Sequence, residues 1–156
     1  MARYRYLCPL RWGDMDAYGH VNNVLFLRYL EEARIAMFNA SAPDDGGGLL
    51  DTGILVARHE IDYLLPLHYR SQPVPIDVWV TGLGGASFEV CYEVLDPGVD
   101  GAADTVYARA ESTMVVYDFT QDAPRRLGDV EKSRLRGWED DPVPLKRARG
   151  ARAGRS

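Results

Sequence analysis

The stretch from Arg11 to Arg34, RWGDMDAYGHVNNVLFLRYLEEAR, joins a polar turn directly to the start of a long apolar helix, and its reading decides the fold. Residues 13–23, GDMDAYGHVNN, are rich in Gly, Asp and Asn. That composition breaks regular structure and offers Asn22 or Asn23 as a helix N-cap. From about Asn23 to Phe38 the apolar residues recur at helical spacing. Phe26, Leu30, Ala33 and Met37 form one stripe flanked by Leu27, Tyr29 and Phe38, while Arg28, Glu31 and Glu32 sit opposite. A helix that is apolar around most of its circumference needs cover on more than one side, so the rest of the chain should wrap around it.

The flanking sequence supplies that cover as strands. Tyr4 to Trp12 alternates with period two, and Pro9 confines this segment to an edge or an irregular stretch. After Gly53 the alternation continues. Leu55, Ala57, His59, Ile61 and Tyr63 are expected to share one face, and Val74, Ile76, Val78 and Val80 another, with Asp77, Trp79 and Thr81 opposite and Trp79 exposed. LGGAS then leads as a Gly-rich hairpin turn into Phe88, Val90, Tyr92 and Val94. Beyond the loop DPGVDGAAD, the residues Val106, Ala108, Ala110, Ser112, Met114 and Val116 line one side of a long strand. Small residues at Ala108, Ala110 and Ser112 would let a bulky helix cross closely. The expected architecture is α+β, a long curved antiparallel sheet around one central helix.

Composition sets the outer limits. The 156 residues suit one domain, and hydrophobic and charged shares of 46% and 26% are those of a globular protein. No apolar run approaches the roughly 20 residues of a membrane span. Met1 to Leu10 lacks the apolar core of a signal peptide, so the expected location is cytoplasmic. A net charge of -5 argues against nucleic-acid binding. The exception is KRARGARAGR, Lys146 to Arg155, which reads as part of a basic, disordered tail over residues 141–156, following a domain over residues 1–140. Cys8 and Cys91 lack redox or zinc spacing and read as buried thiols. The Asp14-x-Asp16 start of a calcium loop fails at Tyr18 and at Leu25, where a glutamate is needed. His20, His59 and His68 lack zinc spacing, and Gly46 to Gly48 is not followed by the Lys of a phosphate loop. No metal or redox cofactor is expected.

The dense cluster of reactive side chains is Asp14, Asp16, His20, Asn22 and Asn23, all in the turn that feeds the helix. Helix N-termini carry unpaired amides and partial positive charge, which polarise a carbonyl and favour an ionised carboxylate nearby. A charged carboxylate beside such amides combines a base or nucleophile with an oxyanion stabiliser, as acyl transfer requires. The same residues also serve ordinary structure. Asp14 is read as a helix-entry charge, Asn22 and Asn23 as caps, and His20 as equally suited to site or scaffold.

With these residues the segment 11–34 resembles the signature of hot-dog-fold acyl-CoA thioesterases of the 4-hydroxybenzoyl-CoA thioesterase type, and its HVNN portion is similar to plant acyl carrier protein thioesterases. The resemblance runs on through the strands to about Leu127. It implies a hot-dog fold, a homodimer or homotetramer with active sites at the interface, and hydrolysis of acyl thioesters. By the same resemblance Asp16 is the catalytic nucleophile or base, the Asn23 amide the donor to the thioester carbonyl, and His20 a histidine placed near the acid. Tyr18 stands where the plant-type enzymes carry asparagine; Tyr18 and Asn22 are counted with the substrate-binding residues. Glu31 and Glu32 are alternatives, because other hot-dog enzymes use a helix glutamate. Arg58, Arg70, Arg125 and Arg126 are the candidates to meet CoA phosphates or an acidic carrier protein. Two other functions stay open on the sequence: a noncatalytic acyl-thioester-binding module, and a hot-dog dehydratase or hydratase.

Overall fold

A computed structural model describes residues 3–41 and 48–147. Tyr4–Cys8 forms β1, Asn23–Ala40 the long helix α1, and Leu49–Thr52 a short helical turn, α2. Then follow β2 (Ile54–Tyr63), β3 (Val74–Thr81), β4 (Ser87–Asp96), β5 (Thr105–Asp118), the two-residue β6 (Ala123–Pro124) and α3 (Asp129–Arg136). The sheet runs β1-β3-β4-β5-β2, with antiparallel neighbours throughout, and β6 adds to the end of β5. Residues 42–47 of the loop expected to end the helix, with two glycines of its GGG run, and 148–156 of the basic tail, lie outside the described residues.

The α+β hot-dog architecture expected from the sequence is the one observed, with α1 packed on a curved antiparallel sheet. Phe26, Tyr29, Leu30, Ala33, Met37 and Phe38 are buried on α1. They meet an inner sheet face of Val74, Ile76, Val78 and Val80 on β3 and Phe88, Val90, Tyr92 and Val94 on β4, all fully buried. Each large apolar side chain removed from water contributes about 1.5–3 kcal/mol, so this single layer is the main source of stability.

Several expectations need correction. β1 stops at Cys8, because Pro9 has no N–H to continue the ladder, and a 3-10 turn over Trp12–Asp14 replaces the predicted continuation to Trp12. The helix runs to Ala40, one half-turn past Phe38. In β2 the register slips between Val56 and Arg58: Val56 pairs with Met114 but Arg58 with Thr113. This bulge places Ala57 out of register, so Ile54 and Val56 point inward before it and His59, Ile61 and Tyr63 after it, whereas Leu55 faces outward. The helix approaches most closely over β1 and β3 rather than β5. The small residues of β5 make room instead for large neighbours, since Ser112 lies between Tyr92 and His59.

The other correction concerns the outer face. Trp79, expected to be exposed, is completely buried with Cys91 beneath Val143 and Leu145. Its indole N–H donates to the Asp141 carbonyl at 2.8 Å. Val80 forms a parallel bridge with Glu139, and the Lys146 amide donates to Asp62 Oδ2 at 2.8 Å. The segment 138–146 is therefore a packed strap across the back of the sheet, and the folded region passes residue 140, where the tail was expected to begin. Burial against these groups pushes the Cys91 thiol up to about 12. No described helix is long and apolar enough to cross a membrane.

Candidate active site

The turn that feeds α1 is built around one carboxylate. Met15 and Val21 form an antiparallel bridge, and the Asp16 amide donates to the His20 carbonyl at 2.7 Å. Gly19 closes the loop by donating to the Asp16 carbonyl, at a φ of +76° that favours glycine. Asp16 Oδ1 accepts the backbone amides of Tyr18 at 2.8 Å and His20 at 3.1 Å. Asp thus organises its own turn, a common use of a short acidic side chain. Oδ2 takes part in neither bond. The His20 amide first, then the Tyr18 amide and the His20 ring, hold the carboxyl below the usual aspartate range against a partial opposing effect of burial. Asp16 is ionised at neutral pH, as expected, although the donors responsible belong to the turn and not to the helix end.

The helix entry supplies the complementary group. Asn22 is the N-cap, its Oδ1 accepting the Val24 amide at 3.1 Å, and its carbonyl accepts the Leu25 amide at 2.9 Å. The Asn22 amide itself donates to Asp14 O. These bonds leave the Asn23 amide, the first of the helix, without a hydrogen-bond partner among the described residues. Asp14 is occupied structurally: its Oδ2 accepts the Tyr29 hydroxyl at 2.8 Å.

Asp16, His20 and Asn23 line one cleft of about 350 Å³, closed on the other side by Phe26, Tyr63 and the segment Leu64–Pro66. That volume lies within the roughly 300–1,000 Å³ of small-molecule sites. The turn is docked onto the chain leaving β2: Val21 N donates to Leu67 O at 2.8 Å, and His20 bridges His68. The two imidazoles meet edge to face with centroids 4.6 Å apart. Tyr63 reaches from β2 to the helix entry, donating its hydroxyl to Asn23 O at 2.8 Å and setting its ring against Phe26.

The remaining expected site residues fall elsewhere. Tyr18 is 82% exposed beside His20 and does not line the cleft; its amide, not its ring, touches Asp16. Arg58 pairs with Glu60 on the same strand at 2.8 Å. Arg70 makes two 2.7 Å bonds to Asp96, whose Oδ2 also accepts the Tyr107 hydroxyl. Arg125 forms a two-pronged pair with Glu131. Arg125 and Arg126 follow the far end of β5, opposite the end that pairs with Tyr63, and so lie roughly 30 Å along the sheet from the cleft. Glu31 is exposed and loosely paired with Arg34 at 3.5 Å, and Glu32 borders a different cleft. His68 and Tyr63 carry no local signal of a role: each meets the turn from 40 or more residues away. Among the described residues no three His, Cys, Asp or Glu side chains converge as a metal-binding group.

The sequence from residue 10 to 145 matches the family described as the Thioesterase-like superfamily. No curated protein matches the chain. Among solved structures, a thioesterase from Thermus thermophilus, complexed with coenzyme A and Zn, is 32% identical; the match covers 89% of this chain and 96% of that one, with a TM-score of 0.70. A predicted thioesterase from Bacillus stearothermophilus is 24% identical over 91% of this chain and 100% of that one, with a TM-score of 0.77. A mutant 4-hydroxybenzoyl CoA thioesterase complexed with 4-hydroxybenzoyl CoA shares the fold, at 14% identity over 86% of this chain and 99% of that one, with a TM-score of 0.71.

Proposed function

Because the chain belongs to the thioesterase-like superfamily, we propose that it hydrolyses acyl thioesters, with acyl-CoA as the carrier and Asp16 as the reacting carboxylate. The observation that carries this reading is the convergence on one cleft of an ionised Asp16 with one oxygen unspent and the unpaired Asn23 amide at the head of α1. The thioester carbonyl accepts a hydrogen bond from Asn23 N–H, which stabilises the negative charge that develops on that oxygen. Asp16 Oδ2 then either attacks the carbonyl carbon or takes a proton from a water that attacks it. In the first route the C–S bond breaks to give a thiolate and a mixed anhydride, which water splits to the free acid and Asp16. In the second the tetrahedral intermediate expels the thiol, which carries away the proton held by Asp16. His20, beside both, orients the water or the carboxylate.

The carrier assignment leans on the coenzyme A bound in the Thermus thermophilus thioesterase. An acyl carrier protein is the alternative carrier suggested by HVNN. The assembly is proposed to be a homodimer or homotetramer that covers the open edge of β2. Leu55 and Val56 stand 40% and 38% exposed there, and an uncovered edge of ten residues invites pairing with another strand.

Thiol release from a panel of acyl-CoAs tests the reading. Asp16→Asn is expected to lower kcat by about 10²–10⁴ while the protein keeps its thermal unfolding profile. Undiminished turnover in this variant removes Asp16 from the chemistry, and binding of acyl-CoA without turnover by the native protein replaces the hydrolase with a binding module.

A further inference from the structure

Arg34 is the one charged side chain buried on α1, only 6% exposed, and the proposed hydrolysis makes no use of it. Its Nη1 donates to the Tyr92 hydroxyl at 3.4 Å, Tyr92 donates to Ser112 Oγ at 3.0 Å, and Ser112 Oγ lies 2.7 Å from His59 Nδ1. The chain has a fixed direction. A guanidinium can only donate, so the Tyr92 oxygen accepts from Arg34 and turns its own proton to Ser112. Ser112 is buried and its proton has no other acceptor among the described residues, so it goes to His59 Nδ1. The imidazole is thereby locked in the form that carries its proton on Nε2. Burial, then the Arg34 charge, lowers the His59 pKa, which agrees with a neutral ring. Nε2–H has no partner among the described residues.

The location gives that donor a use. His59 faces inward from β2, opposite Ser112, yet α1 packs chiefly over β1 and β3 and meets β2 at Tyr63, leaving the stretch before it open enough that His59 is exposed and Ile61 only half-buried. At one end of this stretch Tyr63 and Phe26 line the catalytic cleft. At the other stands His59, four residues or about 13 Å along the strand. The inward row Tyr63, Ile61 and His59 therefore runs along β2 from the lining of the cleft to an N–H donor backed by a buried cation.

Resting on the thioesterase reading, we infer that the acyl chain lies along this row and that His59, supported by Arg34 through Tyr92 and Ser112, selects acyl groups bearing an oxygen acceptor, a hydroxyl or a carboxylate, at the end remote from the thioester. A methyl-terminated chain of the same length would remove water from Nε2–H without replacing its hydrogen bond, the kind of mismatch that separates substrates most sharply.

Binding of medium-chain CoA thioethers, which cannot be hydrolysed, to the full chain tests this by calorimetry. Three analogues of equal length are compared, ending in methyl, hydroxyl or carboxylate. At least tenfold tighter binding of an oxygenated analogue than of the methyl one is expected, with the same order in kcat/KM for the corresponding thioesters. A larger gain for carboxylate assigns the selection mainly to the Arg34 charge, and a larger gain for hydroxyl to the His59 donor. His59→Leu, on the exposed edge, is expected to abolish the preference, and Ser112→Ala, which frees the ring without removing it, to reduce it severalfold with both variants' unfolding profiles recorded. Equal binding of all three analogues by the native protein, or a preference that survives His59→Leu, overturns the inference. Thioesters hydrolysed without preference sink this inference alone. Selective binding with no hydrolysis of any thioester sinks the hydrolase reading and leaves the assignment of His59 standing.

Discussion

The two edges of the sheet are built on opposite plans. β1 is five residues long, ends at Pro9, and is laced with charge: Arg5 grips Asp77 at 2.7 and 3.0 Å, while Arg3 bonds Glu93 and Asp140 and lies over the Trp79 ring at 3.7 Å. Short length, proline and cations are the devices that stop one sheet adding to another. β2 is ten residues long and exposes Leu55 and Val56; its one cation, Arg58, is drawn to Glu60 on the same strand. The turn that carries Asp16 docks at the end of the unprotected edge and not at the protected one. The difference teaches that an edge left costly to expose is a resource, and that site and proposed subunit contact share one strand.

The contrast breaks most visibly at Leu55. Leu55→Lys with Val56→Lys should weaken self-association by more than tenfold, an effect of hot-spot size, and lower activity in parallel. Leu7→Lys, at an exposed apolar position on the opposite edge, should change neither. Sedimentation measurements on the three proteins decide this, and a native monomer would dissolve the distinction. A smaller effect concerns pH. Because the turn amides hold Asp16 below the ordinary aspartate value of about 3.9, activity that needs its ionised form should stay level on acidification through about pH 5 and fall only as pH drops through that lowered value. A limb centred near pH 6.5 would assign the titration to a histidine instead of Asp16. The smallest effect belongs to β1: Arg5→Ala should cost less than about 1 kcal/mol in denaturant unfolding, since the pair is half-exposed and screened by solvent.

What is legible in the sequence follows from how far each interaction reaches along the chain. The helix and the inner faces of β3, β4 and β5 are readable because their periods are local and one face is uniformly apolar. Asp16, His20 and Asn23 are readable because seven residues and one helix entry bring them together. Asn22, not Asn23, is the cap, a distinction that composition does not make. The bulge at Ala57 is not readable, since a strand shows its register only against its partner. Trp79 reads as exposed because Val143 and Leu145, which cover it, lie more than 60 residues away in a segment whose composition groups it with the polar tail. Arg34 sits among helix residues where a cation normally faces water; its buried partner Tyr92, held in turn by Ser112, lies far along the chain.

The strap across the back of the sheet also sets the order in which the molecule can be finished. Arg3 meets Asp140, 137 positions later, and Trp79 and Cys91 wait for Val143 and Leu145 before they leave water. A nascent chain that has emerged from the ribosome only as far as residue 140 can form its helix and pair its strands, but one surface of β3 and β4 stays wet. Closure of that surface consequently waits for residues 141–146, and until they arrive the nascent chain is greasy on the side that later appears inert.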